Sequence, residues 1–131
     1  MLYTKSILKE VSQEDGLRIS VMSRHTLPNG ITPDLRITSD SFHEHLQALA
    51  PPPELVGDYY KRDLTWGVYE IRYNEYLRRP EIAEQVRDLA KRATEQNITL
   101  LCIEDTPERC HRRLLAEACQ RYQPELEVVH R

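Results

Sequence analysis

The chain has 131 residues, enough for one domain with its own core and no need of disulfide or metal staples. Hydrophobic residues make up 40% and charged residues 30%, a balance that excludes a disordered chain. The net charge of −3 removes the overall basic footprint of a protein that coats nucleic acid, though it leaves room for a local basic patch.

Residues 2–8 (LYTKSIL) read as a short strand, and 12–16 (SQEDG) as a polar turn closed by glycine. Residues 17–23 alternate Leu17, Ile19 and Val21 with polar or flexible neighbours, a second strand. Two prolines and an Asn-Gly pair make 24–34 a loop. It is long for a connection in a compact domain, and such loops often carry function.

Residues 39–50 open on helix-capping types and repeat Phe42, Leu46 and Leu49 at helical spacing, so a helix is expected there, stopped by three prolines at 51–53. A short helix is expected at 54–63. Trp66, Tyr69, Tyr73 and Tyr76 recur three or four apart and give a helix over 66–79 with an aromatic face. That face reads as core and its rim rather than as a base-stacking platform, because Glu70 and Glu75 offset the nearby arginines.

Pro80 fits the first turn of a helix running through 81–96, with Ile82, Val86, Leu89 and Ala93 on one stripe. The nearly continuous apolar run 97–104 is the pattern of a strand covered on both faces. Residues 106–122 read as a helix with Thr106 as cap and Leu114, Leu115, Ala118 and Tyr122 on one face. A final strand is expected at 125–131. Strands alternating with helices imply an α/β fold: a single compact domain over 1–131, with a small, mostly parallel sheet flanked by helices.

Three cysteines without regular spacing argue against a secreted disulfide framework and for a reducing, cytoplasmic setting. No apolar run approaches the ~18 residues of a membrane span, and the start lacks a signal-peptide pattern.

Two cysteines, a histidine and three arginines fall within residues 102–113. Cys102 lies at the carboxyl end of the strand 97–104, and Cys110, His111 and Arg112 lie at the start of the next helix. Ligands of open α/β sheets bind at the carboxyl ends of strands, and a helix start favours negative charge. A cysteine held there is biased toward its thiolate. The functional reading is therefore a thiol centre, with Cys102, Cys110 and His111 as reacting groups and Arg112 as a clamp for an anion. The plain alternative is packing, since cysteine is a common small core residue. Cys119, on the apolar face of the helix, reads as core.

Named chemistries narrow the choice. Six residues separate Cys102 from Arg109, one more than a tyrosine-phosphatase-like loop has, and Glu104, Asp105 and Glu108 would repel a phosphate. Successive helical residues point about 100° apart, so Cys110 and His111 are not expected to share a metal ion. A thioredoxin-type Cys-x-x-Cys is absent, which leaves a looser dithiol. Arg24 and His25 follow the strand 17–23 and are placed to reach the same mouth as ligand-binding residues. His43 and His45 would face different ways on a helix.

The segment "TLLCIEDTPERCHRRLLAE" (99–117) resembles the domain-of-unknown-function 488 family, in which a strand ends in a cysteine or small residue, an acidic-proline loop follows, and Cys-His-Arg opens an apolar helix. The strand "DGLRISVMSR" (15–24), followed by Pro28 and Gly30, is similar to a branch with an arginine-rich Trp-Pro-Arg-Gly segment. The tryptophan-tyrosine helix at 66–77 fits as well. Leu27 and Asn29 depart from that branch where an arginine and a tryptophan flank the proline, and only Arg24 carries over. The resemblance implies a compact α/β domain and singles out Cys102, Cys110, His111 and Arg112. It implies no particular activity.

The expectation is thus a thiol-containing ligand or reaction site for a small anionic molecule, nucleotides included, at the turn between 97–104 and 106–122. It requires no cofactor and no metal. The competing expectation is a non-catalytic module that binds nucleic acid or protein through Arg24, Arg109, Arg112 and Arg113. The sequence does not choose between catalysis and binding, and it sets no oligomeric state.

Overall fold

The computed structural model describes all 131 residues. One sheet of five parallel strands organises them: β1 (Leu2–Ser6), β2 (Leu17–Ser20), β3 (Glu44–His45), β4 (Ile98–Cys102) and β5 (Val128–His130), in the order β3-β2-β4-β1-β5. Four helices complete it: α1 (Pro53–Lys61), α2 (Trp66–Leu77), α3 (Pro80–Glu95) and α4 (His111–Tyr122). The fold is α/β, as the alternation of patterns implies.

The helices cover one face of the sheet. Leu2, Ile19, Val21, Ile98 and Leu100 point there and join Tyr73, Leu77, Val86, Leu89, Leu114 and Leu115 in the main core. Each such fully buried aliphatic side chain contributes ~1.5–3 kcal/mol of apolar burial. The other face holds the alternate residues, and irregular segments rather than helices cover it. Leu101 packs there with Ile7, Met22 and Ile37. Lys5 and Arg18 there close on the buried Asp15, at 3.0 and 2.6 Å. Strand β4 is therefore covered on both faces, as its unbroken apolar run predicts.

Two expectations fail locally. Residues 39–50 do not form a helix. The backbone N–H groups of His43 and Leu46 donate to the carbonyls of Arg18 and Ser20, so the segment joins the sheet edge as β3, and a single 3₁₀ turn at Gln47–Leu49 follows. Pairing with β2 outweighs the i, i+4, i+7 spacing of three apolar residues. The helix expected from 106 begins at His111. Its N-cap residue is Cys110, in extended conformation (φ −136°, ψ 137°), and Thr106 sits in an irregular loop over 103–110.

Candidate functional site

From β2 the chain leaves toward β3; from β4 it leaves the other way, through α4 to β5. Loops that diverge at the carboxyl ends of neighbouring parallel strands open a crevice between them, the usual place for a ligand in such sheets. A cavity of about 490 Å³ lies here, a size suited to a small molecule. Cys102, Cys110 and His111 form part of its lining.

Cys102 ends β4, and its carbonyl accepts from the Ile7 N–H, so its backbone is held by the sheet. His111 is the first residue of α4. Its Nε2 lies 2.6 Å from the Val21 carbonyl oxygen. A carbonyl only accepts, so Nε2 carries a hydrogen, and Nδ1 is left facing the Cys102 sulfur at 3.7 Å. That is the order of a nucleophile, a base and a group that orients the base. Burial is nearly complete: Cys102 is 4% exposed, Cys110 2% and His111 7%.

Arg112 is the unexpected member. It is fully buried. Its Nη1 donates to the Glu104 carbonyl at 2.7 Å and to the Cys110 sulfur at 3.3 Å, while Nε and Nη2 have no partner in the protein. No carboxylate hydrogen-bonds to it. An isolated cation in a core costs several kcal/mol unless a counter-charge sits beside it. The ionisable group it hydrogen-bonds to is the Cys110 thiol, and its charge also acts on Cys102, Glu108 and His130. A hydrogen bond from Cys110 holds the Cys102 thiol below its usual range against the cost of burial, and the backbone N–H groups of Ile103 and Glu104 and the Arg112 charge add to the effect. Burial first, then the neighbouring Cys102 sulfur, pushes Cys110 the other way. Of the two thiols, Cys102 is therefore the readier to ionise. Cys119 lies apart against the Val86 carbonyl, and burial pushes its thiol up to about 12, which fits a core residue.

The sulfur atoms of Cys102 and Cys110 and a ring nitrogen of His111 all lie within 4.8 Å of one another. The expectation that Cys110 and His111 diverge is therefore corrected: it assumed both were helical, and Cys110 is an extended cap residue. Two sulfurs and a nitrogen form a donor set for a soft divalent ion such as zinc. The charge disagrees, because the Arg112 guanidinium already sits 3.3 Å from one of the sulfurs.

The cavity wall holds residues that the sequence reading assigned elsewhere. Tyr59, Trp66 and Tyr69 line it, with ring centroids 4.9–5.9 Å apart. Tyr60 also lines it and donates its hydroxyl hydrogen to Glu104. Arg24, Arg36, Lys61 and Arg109 supply cations around it, with Asp34 beside Arg36 at 2.7 Å. Aromatic residues at helical spacing gave the only signal for this wall, and that signal is the same for core. His25 lies elsewhere. It reaches Ser20 at 2.7 Å and packs its ring 4.4 Å from His45 and 4.7 Å from Phe42. Arg112 stands behind the sulfurs rather than in the cavity.

The four arginines of the competing reading do not share a surface. Arg112 is buried, and Arg113 is tied to Glu70 and Glu117 and braces the loop through the Pro107 and Glu108 carbonyls. Arg24 and Arg109 alone are exposed.

A family model described as "Active DUF488-N3 subclade" matches residues 2–123. The chain belongs to the DUF488 family. No curated protein and no solved structure matches it. The DUF488 match spans every element of the sheet except β5 and includes the whole thiol site. No helix of this DUF488 chain is long and apolar enough to cross a membrane.

Proposed function

We propose that the DUF488 chain carries a thiol-centred reaction site for a small anionic molecule, with nucleotides as the class that fits best, in a cytoplasmic setting. The observation that carries this reading is the buried Arg112, which hydrogen-bonds to the Cys110 thiol and to no carboxylate. It supports a standing thiolate at Cys102, with His111 Nδ1 placed to take or return a proton. Cys102 is the nucleophile, His111 the general base, and Arg112 a positioning residue that stabilises charge through Cys110.

Support for the ligand class comes from the cavity. The Trp66 and Tyr69 rings, stacked at 23°, suit a planar ring, and Arg24, Lys61 and Arg109 suit a phosphate against the repulsion of Glu104 and Asp105, which also line the cavity. Three unpaired cysteines accord with a reducing compartment.

Trp66 is the sole tryptophan of the chain and lines the cavity, so its fluorescence reports occupancy. Titration with adenosine monophosphate should change that emission saturably and slow alkylation of Cys102 over the same concentrations. Inorganic phosphate should do so more weakly. No change in either signal at millimolar nucleotide would overturn the ligand class, and the thiol chemistry would be judged separately.

A further inference from the structure

Cys102 and Cys110 meet without being bonded. Their sulfurs fall inside the same 4.8 Å cluster. Cys102 is fixed at the end of a strand, whereas Cys110 ends an irregular loop and lies outside the helix. A disulfide needs the sulfurs at ~2.05 Å, an approach that side-chain rotation and a small loop shift can supply. Both sulfurs are almost wholly shielded, so an oxidant that reaches them is small.

We propose that this pair is a dithiol that reduces a small hydroperoxide and ends as a Cys102–Cys110 disulfide. The inference rests on the thiolate reading of Cys102. In the first step the Cys102 sulfur attacks the distal oxygen of the hydroperoxide. The S–O bond forms and the O–O bond breaks. The leaving oxygen takes a proton from His111 Nδ1, which holds the one released by the Cys102 thiol. Sulfur is oxidised to the sulfenic acid and the peroxide is reduced to water or an alcohol. In the second step His111 takes the Cys110 proton, and the Cys110 sulfur attacks the Cys102 sulfur. The S–S bond forms, the S–O bond breaks, and hydroxide leaves as water with the His111 proton. Two thiols and one hydroperoxide become one disulfide, one alcohol or water, and one further water.

The partner groups have matching roles. Arg112 donates to Cys110, the sulfur that must become anionic for the second step. Cys119 is a built-in control: it is buried on the far part of α4 and has no sulfur neighbour.

The test uses the intact chain and hydrogen peroxide. One equivalent should remove both thiols with loss of two hydrogens in mass. Trypsin should then yield the 93–109 peptide linked to the 110–112 peptide, and dithiothreitol should release them. Cys119→Ser should behave as the parent. Cys110→Ser should stop at a sulfenic acid on Cys102 that a cyclic 1,3-dione traps, and no linked peptide should appear. If Cys102 alkylates fast but peroxide drives it to sulfinic acid in the parent chain, the dithiol inference falls and the thiolate reading stands. If Cys102 neither alkylates nor oxidises in the folded chain, both fall.

Discussion

Arg112→Met removes the guanidinium while keeping a stem of similar reach in the core. Unit charges about 4 Å apart interact by ~4 kcal/mol at an effective dielectric of ~20. Arg112 Nη1 lies 3.3 Å from the Cys110 sulfur, and the Cys102 sulfur lies within 4.8 Å of that sulfur. The guanidinium charge is delocalised and the thiolate is shared across the pair, so roughly half of that figure reaches Cys102. This amounts to a rise of ~1–2 pKa units. Losing a cation makes the thiolate harder to form, so the thiolate fraction at neutral pH falls. Alkylation of Cys102 by iodoacetamide should slow by ~10–100-fold at pH 7 and recover at high pH. Arg112→Lys, which keeps the charge but not the fork, should lie between. Stability should fall as well, because removing one partner of a buried charge pair is destabilising and the Glu104 carbonyl loses its donor, so folding is checked on the same sample. An unchanged alkylation profile in a folded Arg112→Met chain would refute the assignment of the counter-charge to the thiols.

Two further predictions concern the fold. Gly16 has φ +63°, and a Cβ there would lie 2.3 Å from the Asn97 carbonyl oxygen, which accepts the Leu17 N–H that starts β2. Gly16→Ala should lower stability by more than about 1 kcal/mol in urea unfolding, and an unchanged midpoint would contradict the tight turn. Burial, then the facing His45, lowers the affinity of His25 for a proton. The folded state thus disfavours charging His25, so stability is full above the unfolded value of about 6.5 and is lost as pH falls below it. Ser20, Phe42 and His45 are the groups packed on His25, and His45→Gln should reduce the loss between pH 7.5 and 5.5.

What the sequence revealed follows from how local each signal was. The stripe of α3 and the apolar run of β4 are strong because periodicity and length agree, and both elements fall where expected. The convergence of Cys102 with Cys110 and His111 was legible from their positions at a strand end and a helix start. Residues 39–50 were misread because three apolar residues at helical spacing compete with an edge pairing to β2, which only the tertiary structure supplies. The start of α4 moved five residues because Thr106-Pro107 mimics a helix cap, while Arg113 ties the Pro107 and Glu108 carbonyls into a loop. Arg112 was placed as an anion clamp at the mouth. The turn of the helix instead carries it behind the sulfurs, where its role is electrostatic. Neither the aromatic wall nor Arg36 could be assigned to the cavity, since both depend on how α1, α2 and the loop after β2 pack together.

The pH dependence of alkylation at Cys102 in the native chain, followed by mapping of the modified peptide, tests the thiolate most directly. Modification should concentrate on Cys102, with an apparent pKa well below the ordinary thiol value of about 8.5, while Cys119 reacts only after unfolding. Three cysteines that all stay silent until the chain unfolds, or a Cys102 that titrates at or above the ordinary value, would contradict the account.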